Sequence, residues 1–169
     1  MQELADVVGS GLRVLFCGIN PGLLSAETGH HFARPGNRFW PALHLSGFTP
    51  RQLKPAEQSE LLDLGLGITN VVDRPTAQAG ELSRSEFAAG GENLVKKVLA
   101  YEPVWLAVVG VTAYRAAFNL PKAVMGRQER TIGPTRVWIL PNPSGLNAHY
   151  TLPKLTAAFA ELRAASSMP

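Results

Sequence analysis

Four short apolar runs punctuate this chain: Leu12 to Cys17 (LRVLFC), Gly67 to Val72 (GITNVV), Val104 to Gly110 (VWLAVVG) and Arg136 to Leu140 (RVWIL). Each is too short for a buried helix and rich in β-branched residues, so each reads as a core strand. Helical patterns fill the gaps. Ser83-Arg84-Ser85-Glu86 has capping-box spacing, and Phe87, Leu94, Val98 and Tyr101 continue it as one apolar stripe. Gly90-Gly91 lowers helix propensity inside that stripe, which marks a close backbone contact, more readily a packing contact than a ligand contact. Gln58 to Leu62 and Thr112 to Phe118 read as short helices, and a helix can start within Asn37-Arg38-Phe39-Trp40. Thr151 caps a last helix that turns Leu152, Leu155, Phe159 and Leu162 inward, with Pro153 tolerable in its first turn. Leu23 to Gly36 has no periodicity and reads as a long functional loop. The expected fold class is α/β: a three-layer αβα sandwich around a central, mostly parallel four-stranded sheet.

The chain's 169 residues suit a single domain over 1–169. Its 46% hydrophobic and 17% charged residues are globular in proportion, and no apolar run approaches the roughly 20 residues of a membrane span. Met1 to Gly11 carries Glu3 and Asp6 and lacks the basic start and long apolar stretch of a secretory signal, so a cytoplasmic, membrane-free monomer is expected. Cys17 is the lone cysteine, which excludes an internal disulfide and a multi-thiolate cluster; in a strand it is expected to pack. A net charge of +3 and a pI near 9.3 permit a polyanionic partner. With no run of like charges, such binding should be modest and salt-sensitive.

Function is expected where strands end. Gly18-Ile19-Asn20-Pro21-Gly22 and Asn142-Pro143-Ser144-Gly145-Leu146 each follow a strand-like run, and in open parallel sheets the ligand crevice lies outside the strand carboxyl ends. A third polar loop, Asp73-Arg74-Pro75-Thr76, leaves the second run in the same way. Asn20 offers an amide donor and acceptor that can position water, but being neutral it cannot take a proton as a carboxylate does. It therefore suits a reaction that needs little nucleophile activation. N-glycosidic cleavage is one, because the bond can break ahead of water attack and the departing anion is stabilised by backbone N–H groups, for which Ile19 and Phe32 are candidates. Phe32, in a polar loop, can stack on an extruded base, and Ser144-Gly145-Leu146 combines a hydroxyl for phosphate with an apolar tip that can fill a vacated base stack. Taken singly, each segment is also consistent with an ordinary turn or a core aromatic. His30-His31 has no partner at a recognised metal-ligand spacing, and Gly22, Gly29 and Gly36 lack a nucleotide-loop pattern, so neither a metal site nor an ATPase is expected.

Together, GINPG, GHHFARPGNRFW, GITNVVDRPT and LPNPSGLN, in that order between about Leu12 and Leu162, resemble the mismatch-specific uracil/thymine DNA glycosylases of the uracil-DNA glycosylase superfamily. The resemblance implies a four-stranded parallel sheet flanked by helices and cofactor-free removal of uracil from G·U mismatches in double-stranded DNA. Etheno-cytosine, or more weakly thymine, is an additional substrate it suggests. By motif match, Asn20 orients the attacking water, Phe32 stacks on uracil, and the backbones of Ile19 and Phe32 bind its carbonyl oxygens. Asn70 and Asn37 line the pocket or hold the adjoining phosphate, while Ser25 and His31 lie near the C5 edge of the base. Gly145 contacts the widowed guanine and Leu146 acts as the wedge. Some bacterial relatives carry an Arg shortly after the wedge where this chain has Asn147 and Ala148, which implies a weaker grip on the opposite strand. Some also have Lys at Asn70, which implies weaker phosphate binding here, whereas GHHF is closer to the pattern of eukaryotic thymine DNA glycosylases, which keeps thymine among the substrates the resemblance implies.

Asp73, on the rim shared with Asn20, is a further catalytic candidate that can assist the water; the alternative pairs it with Arg74 or makes it a turn cap. Two other classes compete with a monofunctional glycosylase. A non-catalytic mismatch binder keeps the pocket without cleavage, and a nucleoside hydrolase breaks the same bond but has no need of Leu146.

Overall fold

In the computed structural model, which describes residues 4–167, Val14 and Phe16 enter one apolar core and Leu15 and Cys17 another. Both sides of this strand are sealed from solvent, which is why VLFC carries no polar position. The strand is β1 (Val14–Gly18), and it pairs in parallel with β2 (Leu66–Asn70) on one side and β3 (Trp105–Val109) on the other. Beyond β3 lie β5 (Thr135–Leu140), parallel, and β4 (Gly126–Ile132), antiparallel, so the sheet runs β2-β1-β3-β5-β4. Helices α2 (Phe39–Leu45) and α5 (Leu152–Ser166) cover the Phe16 face through Phe39, Leu43, Leu155, Phe159 and Leu162. Helices α3 (Arg84–Tyr101) and α4 (Val111–Phe118) cover the Leu15 face through Leu94, Val98, Tyr114 and Ala117. This is the expected three-layer sandwich.

The helix starts follow their sequence signals. At α3 the Ser83 hydroxyl accepts from the Glu86 N–H at 3.1 Å and the Glu86 carboxylate accepts from the Ser83 N–H at 3.0 Å, closing the capping box. Thr151 caps α5 by accepting from the Lys154 N–H at 3.3 Å. The glycine pair in α3 is explained by its neighbours. A Cβ at Gly90 would stand 2.3 Å from the Val71 carbonyl oxygen, and one at Gly91 would stand 2.2 Å from that of Ala117, so the pair lets α3 lie directly on β2's exit and on α4.

Three expectations need correction. The sheet has five strands rather than four: β4 reads GRQERTI, and as an edge strand it exposes its charged residues to water and has no apolar alternation to reveal it. The segment Leu23 to Gly36 is not all loop, because Leu23–Thr28 forms the short helix α1, closed by Gly29 in the left-handed conformation. The Gln58–Leu62 helix is longer than expected and is a 3₁₀ helix over Pro55–Leu64.

An N-terminal segment completes the β2 side. Val7 and Ile68 exchange backbone hydrogen bonds of 2.9 Å in each direction, and Asp6 accepts from Lys97 at 2.5 Å and from the Thr69 hydroxyl at 2.9 Å. Burial pushes the Cys17 thiol pKa up, so the thiol stays protonated as a packing group. No helix among the described residues is long and apolar enough to cross a membrane.

Candidate active site

The four parallel strands end together, and the strand order reverses between β1 and β3, the position where α/β sheets open a crevice. A cavity of about 520 Å³ occupies it. Ile19 and Asn20 enter from the loop after β1, Asn70 from the last position of β2, Thr76 from the segment after it, and Asn142, Ser144 and Leu146 from the loop after β5. Helix α1 supplies Ser25, and the connection from it into α2 supplies His31, Phe32 and Asn37. Two loops more than a hundred residues apart in sequence thus share one wall.

The orientation of Asn20 is fixed by its neighbours. Its Nδ2 donates to the Arg74 carbonyl at 2.8 Å and to the Thr76 hydroxyl at 2.9 Å. A carbonyl can only accept, so the amide nitrogen must face that way and Oδ1 is left as the acceptor. Thr76 in turn donates to the Gln78 carbonyl at 2.8 Å, which commits its hydroxyl proton and leaves its lone pair for Asn20. Arg74 is held from behind by Glu86, with contacts of 2.7 and 2.9 Å, and by the Glu81 carbonyl at 3.1 Å. The Arg74 guanidinium, with the Ser83 N–H, holds the Glu86 carboxyl down at a pKa of about 2. Neither Thr76 nor the Arg74 carbonyl stands out in the sequence as a partner of Asn20; the only signal was a polar loop leaving a strand end.

Phe32 forms a platform. Its ring stacks on Phe39 with centroids 4.1 Å apart and planes at 21°, leaving the other face for the cavity. Its backbone is left-handed, φ 52°, a conformation that costs a non-glycine residue roughly 1–2 kcal/mol. Gly18 makes the space: a Cβ there would lie 2.6 Å from Asn70 Oδ1 and 3.3 Å from Phe32 Cζ. Neither the Ile19 nor the Phe32 N–H has a hydrogen-bond acceptor among the described residues, although the Ile19 carbonyl accepts from Val72 at 3.0 Å. Two main-chain donors are therefore unspent beside an aromatic face, an arrangement suited to a planar base that departs with negative charge.

Other expected site residues are partly committed to scaffolding. The Ser25 hydroxyl accepts from the Ala33 N–H at 3.1 Å, and Asn37 Oδ1 accepts from the Phe39 N–H at 2.9 Å, leaving the Asn37 Nδ2 group as a donor. His31 is buried, its Nε2 lies 2.8 Å from the Ala5 carbonyl, and burial lowers its pKa below the ordinary imidazole value. The neutral ring donates to that carbonyl from Nε2, so Nδ1 is its acceptor. Asn70 is buried at the end of β2 with no side-chain partner among the described residues. Among the described residues, no three of His, Cys, Asp and Glu stand together in a way that could hold a metal ion.

A sequence model of the uracil DNA glycosylase superfamily matches residues 5–164. The chain belongs to that superfamily. The fold is also that of a Methanosarcina acetivorans protein provisionally described as a uracil DNA glycosylase, known from its solution NMR structure. The two chains share 17% identity with a TM-score of 0.58, over 96% of this chain and 98% of the other. Membership makes the chain a DNA glycosylase-type hydrolase, with uracil excision as its general reaction.

The loop after β5 is built differently from the rest of the cavity wall. Asn142 Oδ1 accepts from the Ser144 N–H at 2.9 Å, the Ser144 hydroxyl accepts from the Leu146 N–H at 3.2 Å, and Asn147 bonds to the Asn142 carbonyl at 3.0 Å and to the His149 N–H at 3.2 Å. Asn147 thus serves the turn itself. Leu146 is left 73% exposed at the tip. Gly145 allows the loop to touch the segment before α2, since a Cβ would stand 2.6 Å from the Gly36 carbonyl oxygen. Asp73 is not brought into this arrangement: it is exposed, lies outside the cavity wall, and does not pair with Arg74, whose partner is Glu86.

Proposed function

We propose that this chain is a monofunctional DNA glycosylase that flips uracil out of mismatches such as G·U in double-stranded DNA and leaves an abasic site, acting as a single chain without a cofactor. The observation that carries the reading is the clamped amide of Asn20, with Oδ1 as its remaining acceptor, set in a cavity with the unspent N–H groups of Ile19 and Phe32. In the proposed reaction the bond between C1′ and N1 of uracil breaks, and its electron pair leaves with the base, spread onto the carbonyl oxygens. Those oxygens meet the two main-chain donors while the ring lies on Phe32. A water held by Asn20 Oδ1 adds to the cationic sugar at C1′, and its surplus proton passes to solvent or to the uracil anion. In this reading Asn37 and Asn70 line the pocket or hold the flanking phosphate, Ser144 offers it a hydroxyl, Ser25 and His31 border the base, and Leu146 fills the vacated stack with Gly145 beside the unpaired guanine. Etheno-cytosine and thymine are secondary substrates of the same reading. No lysine lines the cavity, which supports direct hydrolysis without a Schiff base.

Incubating the protein with a G·U duplex and then with alkali is expected to break the strand at the uracil, with no break before alkali and no borohydride-trapped adduct. An intact strand after alkali would leave a mismatch binder. Release of uracil from free deoxyuridine at a comparable rate would favour a nucleoside hydrolase.

A further inference from the structure

Leu146 can enter a duplex only if its loop is held at a fixed height and angle relative to the base platform, and the loop's internal turns do not supply that connection. Arg38 does. Its guanidinium donates from Nη2 to the carbonyls of Ser144 at 2.6 Å and Asn147 at 3.2 Å, and from Nη1 to the carbonyl of Tyr150. Its own backbone N–H donates to the Pro143 carbonyl at 2.9 Å. The side chain is half-buried and has no carboxylate partner among the described residues; Nη1 and Nη2 are both spent on one loop, while Nε is buried without a hydrogen-bond partner. Arg38 also precedes Phe39, the ring on which Phe32 is stacked. One residue thus bonds to the wedge loop at four carbonyls while adjoining the support of the base platform.

We propose that Arg38 is a positioning residue for strand penetration, fixing Leu146 relative to Phe32 so that base extrusion and wedge insertion happen in register. This rests on the duplex-glycosylase reading above. A planar fork can hold several carbonyls in one geometry, whereas a lysine ammonium is a compact point charge on a flexible stem and cannot. The role therefore belongs to the guanidinium shape rather than to positive charge.

The test is single-turnover excision from a G·U duplex by the parent, Arg38→Met, Leu146→Ala and the double variant. Arg38→Met is expected to slow excision about 10- to 100-fold, the range that a misplaced group produces. In the Leu146→Ala background the same change is expected to cost no more than about threefold, because the side chain it positions is gone. Arg38→Lys is expected to stay within about threefold of Arg38→Met. Multiplicative costs in the two backgrounds, an undiminished Arg38→Met, or full rescue by lysine would each overturn the inference. If Arg38→Met does not fold, Arg38→Lys in the two Leu146 backgrounds decides by the same criterion. A parent that cannot cleave removes the glycosylase reading itself, and an unaffected Leu146→Ala removes the wedge; an effective Leu146→Ala with multiplicative costs removes Arg38 alone.

Discussion

The cavity at the strand ends and the loop after β5 sit side by side, yet they spend their polar groups in opposite ways. Around the cavity Asn20 gives its Nδ2 to Arg74 and Thr76 and keeps Oδ1, and the N–H groups of the lining residues Ile19 and Phe32 have no acceptor among the described residues. In the loop, Asn142, Ser144 and Asn147 spend their side chains on the turn, and what projects is the apolar Leu146. A site that must stabilise charge leaves prepaid dipoles open, since forming them during the reaction would cost reorganisation. A wedge that replaces a stacked base needs apolar area on a stiff support.

The largest expected effect breaks the pocket side. Asn20→Ala should slow single-turnover excision about 10²- to 10³-fold, the scale for losing one preorganised polar group, while duplex binding stays within about threefold. Equal losses in binding and excision would assign Asn20 to ground-state binding instead. Next, Gly18→Ala drives a methyl group to 2.6 Å from Asn70 Oδ1 and 3.3 Å from Phe32 Cζ. Overpacking of this kind costs about 1–3 kcal/mol, and Tm should fall by about 2–4 °C for each kcal/mol. An unchanged Tm with full excision would show that Asn70 and Phe32 are looser than their packing implies.

A smaller effect concerns His31, whose folded pKa lies below its unfolded value because the ring is buried. As pH falls below about 6.5 the unfolded chain takes up a proton more readily than the folded one, so the stability present at neutral pH is progressively lost. The Tm drop between about pH 7.5 and about pH 5.5 should be shallower in His31→Gln than in the parent. Identical pH profiles would contradict this. The smallest effect is expected at Asp73, outside the cavity wall: Asp73→Asn should excise uracil within about twofold of the parent. A loss of tenfold or more would place the carboxylate back in the reaction.

The four parallel strands were legible because a buried strand cannot avoid an apolar, β-branched sequence. Strand β4 was not, since at the edge its GRQERTI sequence answers to water rather than to a core. Helix α1 was hidden by its length, six residues with no room for a periodic stripe. Asn20 and Leu146 were expected to face one another from motifs placed at strand ends, Phe32 from its polar loop and Asn70 from the family resemblance, and all four line the one cavity. Arg38 and Thr76 did not, because their work is done on groups far away along the chain: the carbonyls of 143–150 for one, the Asn20 amide for the other. A backbone carbonyl has no residue type, so its use leaves no trace in composition or spacing. Asp73 shows the converse, a suggestive residue type at the right strand end whose side chain is turned to solvent.

The two margins of the sheet are closed by different means. Beside β2, Val7 occupies the Ile68 backbone groups from outside, while at the far margin β4 presents Arg127, Glu129 and Arg130 to water and loses its regular pairing between Arg127 and Thr131. Neither border offers the flat, uncharged row of vacant amides that nucleates strand-on-strand growth. These borders give the chain resistance to filament formation without a disulfide, since its lone cysteine, Cys17, is buried and free.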